Sequence, residues 1–332
     1  RKLTYFDFPP VSPLATDICK IVLTILGSGA FNVTASKMDY TAVTMQEIED
    51  VLIVMRGNEA GTYRCRDYLA QNRPVLVGEK VDESWRQRMA EWMYGVVDHC
   101  NFRRDIVYVA MTYLDLCLSK DCEIINTKQS FQLGAITCLY LAMKIYDTTF
   151  VKLESLVKLG RGLFSEEDVL KMELRILDKL QWRVHPPTPM CFLRHYTRLI
   201  PSTVSSSTSF MITEVSRFIA EISICLYKFV KQPPSMIAYA ALCIAMDSIE
   251  EASLPFWQRQ QIYLRLNTTA KISYFCPVAQ QLIIKLRTAF EKNVDVRSLM
   301  TTIDPKCHIS CNSSKRSTEG GDSPKEVVQR LH

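Results

Sequence analysis

Hydrophobic and polar positions along this chain recur with the 3.6-residue period of a helix and almost never with the two-residue period of a strand. From residue 44 the run TMQEIEDVLIVM reads as a helix, and a second, short one is expected over 63–71. Between 81 and 182 five helical patterns follow one another with short breaks. Asp82 and Ser84 can cap the first, which runs to about Cys100 with Trp85, Met89, Trp92, Met93 and Val96 on one face. The next covers 104–119, with Ile106, Val107, Ala110, Tyr113, Leu114 and Cys117 apolar. The third, over 127–146, contains LGAITCLYLAM without a charge. A helix apolar all round is buried all round, so the others should surround it. A fourth spans 151–159 and stops at Gly160 and Gly162; a fifth starts at Ser165 and Asp168, a capping-box-like pair, and continues to Leu180.

The prolines of HPPTP, residues 185–189, cannot continue a helix and mark a joint between domains. A linking helix is expected over 190–199, then a polar loop over 201–209, then helices over 211–230, 233–249, 254–266 and 276–293. The fold class is all-α: two tandem five-helix folds with a flexible N-terminal extension and C-terminal tail. The boundaries read as a poorly ordered extension over 1–45, N-terminal helices over 46–80, a first fold over 81–185, a joint and linker over 186–209, a second fold over 210–296 and a disordered tail over 297–332. The duplication is inferred from pattern, since no residue-level self-similarity links the halves.

Composition adds exclusions. Glycine is scarce, 11 in 332 residues, which disfavours turn-rich β folds and glycine-cradled nucleotide sites. A formal charge of +5 spread over 40 basic and 35 acidic residues argues for neither a nucleic-acid nor a membrane partner. The apolar run over 18–33 is broken by Lys20, Gly27, Ser28 and Gly29, too short and interrupted to span a bilayer. The cysteines, scattered mostly one to a helical segment, read as reduced small hydrophobes of the cytosol or nucleus.

The runs WRQRMAEWM (85–93), AMTYLDLCLS (110–119), FQLGAITCLYLAMK (131–144), FSEEDVLKMELRILDKLQW (164–182) and PPTP (186–189), in that order and with those gaps, resemble a cyclin box. The similarity continues more weakly over 218–245, like the start of a second cyclin fold. On this evidence the chain is identified as resembling the cell-cycle members of the cyclin family. The resemblance implies a non-catalytic regulatory subunit that binds and activates a cyclin-dependent Ser/Thr protein kinase.

It also implies roles for single residues. Arg86 and Asp115 match a structural pair joining the first two helices of the box. Lys144 and Glu173 match the kinase-contacting signature, a cation and a carboxylate that can hydrogen-bond backbone groups of a partner. Ile145, Leu177 and Trp182 are further kinase-contact candidates, with Tyr68 from the preceding helix. The chain departs from the family after Lys144, where Ile145, Tyr146 and Asp147 replace an aromatic and two acids, and at Leu116, where an Arg is frequent. Trp85, Met89, Trp92 and Gln132 match a shallow groove that recruits substrates bearing a basic-x-leucine motif. Arg88 and Gly95 depart from the apolar and acidic residues usual there.

Other chemistry is thin. No nucleotide-binding glycine loop, HExxH pair or nucleophile elbow is present. His99 and Cys100, adjacent on a helix, point in different directions and do not make a nucleophile and base. Cys307, His308 and Cys311 lack the fourth ligand a structural zinc site needs, so no metal or other cofactor is expected. RDYL (66–69) has the form of a minimal destruction box, and Ser323 before Pro324 that of a proline-directed phosphorylation site. The alternatives are a cyclin of a transcription-regulating kinase and a transcription-factor-like cyclin fold binding DNA; against the latter stand mixed charges and no N-terminal CxxC pairs. Location in the nucleus, the cytoplasm or both is expected.

Overall fold

The computed structural model describes residues 44–70, 81–120, 127–147, 151–160 and 162–293. The stretch over 18–33, the 307–311 trio and Ser323 lie outside the described residues, as do nearly all of the extension and the whole tail expected at the two ends. Among the described residues there are eleven α-helices and no strand: α1 (Met45–Ala60), α2 (Glu83–His99), α3 (Asp105–Lys120), α4 (Lys128–Tyr146), α5 (Leu153–Leu159), α6 (Glu166–Leu180), α7 (Pro189–Tyr196), α8 (Ser206–Cys225), α9 (Pro234–Asp247), α10 (Phe256–Thr269) and α11 (Pro277–Asn293). None is long and apolar enough to cross a membrane.

Two five-helix folds follow in tandem. Helices α2, α3, α5 and α6 surround α4, which is buried from Phe131 to Met143 apart from Leu133. Helices α7, α8, α10 and α11 likewise surround α9, buried from Ile237 to Met246. The caps are local and follow the sequence. Asp82 accepts from the amide of Trp85, while Thr127 and Ser165 close capping boxes with Ser130 and Asp168.

Three expected elements differ. No helix forms over 63–70; the segment runs irregularly along a seam between the folds. Its polar groups are satisfied across the fold: the Arg66 amide donates to Ser119 Oγ at 3.0 Å, the Leu69 amide to the Tyr227 hydroxyl at 3.0 Å, and that hydroxyl to Asp67 at 2.8 Å. Tertiary partners replace the helical ladder. The linking helix expected over 190–199 is instead the first helix of the second fold, because Phe192, Leu193, Tyr196 and Leu199 are buried in that core. Helix α8 also starts at Ser206, inside the expected polar loop, where Ser205 caps it.

Helix α1 is clamped to the second fold. Ile48 and Leu52 enter its core, and Arg56 donates to the carbonyl of Ala270 at the end of α10 at 2.7 Å. Pro233, the N-cap of α9, offers no capping side chain. Glu59 of α1 fills that role, accepting from the Ser235 amide at 2.9 Å and from its hydroxyl. Burial pushes the Glu59 carboxyl above its ordinary 4.5, against the lowering effect of Ser235.

Candidate functional site

Helices α4 and α6 pack side by side, and their register brings Lys144, in the last turn of α4, against Glu173 in the middle of α6. Lys144 Nζ lies 2.6 Å from Glu173 Oε1. The carboxylate is 9% exposed and the lysine 40%, so the pair sits at the rim of the core with its cation in solvent. The ammonium also stands 5.0 Å from the centre of the Tyr140 ring. Two of its three donors remain for another acceptor, and the second oxygen of Glu173 remains for another donor.

The surface beside this pair carries exposed apolar residues set among charged ones. Helix α6 ends through Gln181 and Trp182, both at positive φ (55° and 59°), with the Trp182 amide donating to the carbonyl of Leu177 at 2.9 Å. Two consecutive non-glycine residues in the left-handed region cost about 1–3 kcal/mol each. The turn leaves the Trp182 indole 69% exposed. Leu170 and Leu174, on the turns flanking Glu173, are 48% and 65% exposed. Ile145 is half-buried against the first core, and Leu177 shows only an edge. Leu170 and Leu174 were not singled out above. Their signal is that α6 carries apolar residues at 169, 170, 172, 174, 176, 177 and 180, too many for one buried stripe.

Tyr68 does not join this surface. It is 1% exposed, and its hydroxyl donates to Asp115 Oδ1 at 2.7 Å, so it is core and cannot touch a partner. Burial, with the Asp115 charge beside it, holds that phenol far above its ordinary value. Asp115 is in turn gripped by Arg86 through two bonds, Nε to Oδ1 at 2.9 Å and Nη2 to Oδ2 at 2.6 Å. Arg86 Nη1 donates to the carbonyl of Ile224 in α8 at 2.7 Å. Burial works against the guanidinium, but Asp115 more than offsets it and the pKa stays raised. The pair thus ties α2 and α3 to the second fold. A cavity of about 400 Å³ lies along the same seam, lined by Arg86, Tyr108, Thr112, Ser223 and Lys231 among others.

The four positions matched to a docking groove do not form an open one. Trp85, Met89 and Gln132 are 6%, 2% and 2% exposed, and Trp92 is half-buried. The Arg88 guanidinium stands 4.5 Å from the centre of the Trp85 ring and the Lys128 ammonium 5.1 Å, so cations roof the indole that a basic motif would need to approach. His99 is exposed whereas Cys100 packs into the first core, its thiol pushed up by burial. In RDYL, Arg66 is exposed and Tyr68 is the buried residue just described. Among the described residues no group of His, Cys, Asp and Glu is placed to hold a metal.

Comparison with known proteins adds the following. Residues 50–185 match the family profile described as "Cyclin, N-terminal domain" and residues 187–291 the one described as "Cyclin, C-terminal domain". Cyclin-A2-1 of Arabidopsis thaliana is 27% identical over 197 residues, covering 59% of this chain and 43% of that protein. Cyclin-A1-3 of Oryza sativa subsp. japonica is 24% identical over 207 residues, covering 62% and 40%. The matched region thus spans less than half the length of these curated relatives. A viral cyclin from herpesvirus saimiri superposes with a TM-score of 0.57 at 14% identity, over 74% of this chain and 97% of that one, a likeness of fold.

Proposed function

The chain belongs to the cyclin family, and from that premise we propose that it is a non-catalytic regulatory subunit that binds and activates a cyclin-dependent Ser/Thr protein kinase in cell-cycle control, in the nucleus, the cytoplasm or both. The observation that carries this reading is the Lys144 and Glu173 pair, held 2.6 Å apart at the rim of the core and flanked by exposed Leu170, Leu174 and Trp182. A partner backbone meets fixed donors and an acceptor at the centre, and apolar area around them.

The mechanism is a shift of population. A lone kinase holds its regulatory helix out of place and so breaks the Lys to Glu ion pair that phosphoryl transfer needs. A rigid helical surface that fits only the active placement draws the equilibrium over. Moving it from 1:99 to 99:1 takes about 5.5 kcal/mol of differential affinity. Full burial of a large apolar side chain contributes about 1.5–3 kcal/mol, so three such residues supply energy on the required scale. The pair fixes orientation; the apolar residues supply most of the affinity.

The test is activation of purified cyclin-dependent kinases by the purified chain. The wild type activates at least one, and Lys144→Ala with Glu173→Ala abolishes activation while the melting transition keeps its shape. Full activation by the double variant would sink the assignment of the pair.

A further inference from the structure

Three parts of the chain meet around the cavity of about 400 Å³ at the seam. They are the end of α1 with the irregular segment after it, helices α2 and α3 of the first fold, and the stretch from the end of α8 to the start of α9 in the second. The cavity falls within the roughly 300–1,000 Å³ of small-molecule pockets, which favour such boundaries between domains. Arg86, Tyr108, Asp115, Ser223 and Ile237 are buried and make its floor, whereas Ala60, Arg64, Lys231 and Pro233 are exposed and make its mouth. Phe229, Val230 and Pro234 add apolar wall between the two.

The charged groups around this cavity are engaged, with one exception. Both oxygens of Asp115 are held by Arg86 and Tyr68, and each nitrogen of Arg86 already donates. Lys231 Nζ lies 2.8 Å from Asp67 Oδ2, and the two oxygens of Glu59 accept from the amide and the hydroxyl of Ser235. The Arg64 guanidinium bonds to no group among the described residues, and neither does the side-chain amide of Gln232, next to Lys231. The mouth therefore presents a planar set of donors without an acceptor, beside apolar walls.

We propose that the cavity binds a small organic anion, a carboxylate or sulfonate on a flat apolar body, with the acid group at Arg64 and the body against Phe229, Pro233 and Pro234. The guanidinium fork matches two oxygens of an acid group, and the Gln232 amide can donate a further bond. The body displaces water from the apolar walls. A cationic ligand would meet Arg64 and Lys231 at the mouth, and a neutral one would leave the guanidinium unmatched, so the site selects by charge. Because the ligand touches both folds and the segment after α1, its binding holds the two folds in one relative placement.

The test titrates anilinonaphthalene sulfonate, a fluorescent aromatic anion, into the full chain without kinase, beside its neutral analogue phenylnaphthylamine. The expected result is one saturable site per chain and a melting temperature that rises with sulfonate concentration. The neutral analogue binds at least about tenfold more weakly, the scale of a lost charge-assisted hydrogen bond. Arg64→Glu weakens the sulfonate by the same factor and spares the analogue, while Ala60→Trp, which fills the mouth, removes both. Each substitution is at an exposed position and leaves the melting temperature of the free chain unchanged. Binding without saturation overturns the proposal, as does equal affinity for the neutral analogue. So does a sulfonate site that is indifferent to Arg64→Glu and Ala60→Trp, or one that is lost with Trp182→Ala. No kinase enters the assay, so its failure leaves the activation reading standing.

Discussion

The first fold holds two ion pairs of the same length, 2.6 Å, in opposite surroundings. Arg86 and Asp115 are 0% and 4% exposed, and both oxygens of the carboxylate are taken by Arg86 and Tyr68 while the remaining Arg86 nitrogen reaches Ile224. Lys144 and Glu173 are equally close, yet the lysine is 40% exposed and keeps donors to spare. One pair closes a seam; the other presents itself. Distance alone therefore does not mark a functional pair. The difference lies in how many bonds are left for something outside the molecule, and in what surrounds them: aromatic core and a neighbouring helix in the first case, exposed Leu170, Leu174 and Trp182 in the second.

Substitutions at each pair test the contrast. The largest effect is expected for Arg86→Ala, which leaves Asp115 charged and buried; urea unfolding should show a loss of about 3–5 kcal/mol, since removing one partner of a buried pair strands the other. A loss under about 1 kcal/mol would mean the seam does not depend on it. Next, Leu174→Asp with Trp182→Ala should weaken kinase binding by about 2 kcal/mol, roughly thirtyfold, in titration calorimetry, with stability changed by less than about 0.5 kcal/mol. If stability falls with affinity, these residues are core after all.

Glu59 is an intermediate case, a buried carboxylate held by hydrogen bonds rather than by a close cation. Its pKa is raised in the folded state, so the folded chain binds the proton more tightly than the unfolded one. Stability at this site is accordingly greatest below the ordinary 4.5 and falls as pH rises from there through the raised value. Glu59→Gln should flatten that slope in melting curves taken across the acidic range, whereas Glu59→Ala should cost about 1–2 kcal/mol through the lost cap. The smallest effect belongs to an uncharged contact: Thr127→Ala, which opens the capping box of α4, should cost about 1 kcal/mol and be insensitive to salt. A salt-dependent loss there would mean charge contributes to the cap.

Much of this was legible in the chain. The uncharged run over 133–143 required a buried central helix, and Ser, Thr and Asp at helix starts located the caps within a residue or two. Lys144 and Glu173 could be matched in advance because they stand on long, strongly periodic helices. The failures share a cause. The stretch over 63–70 has no helix because its amides bond to Ser119 and Tyr227, residues 53 and 158 positions away. Tyr68 turned from surface candidate to core because Asp115 waits 47 residues on.

Neighbours along the chain set most of the helical segments, where most of them start, and that the one over 127–146 is apolar enough to be central. Which flank faces out was settled by packing between helices. Leu170 and Leu174 are exposed while Trp85, Met89 and Gln132 are covered, although all five sit at plausible helical spacings. Periodicity reports that a residue is apolar and on which side of its own helix it lies. Whether that side is covered depends on the packing of other helices against it, and that is a property of the assembled fold.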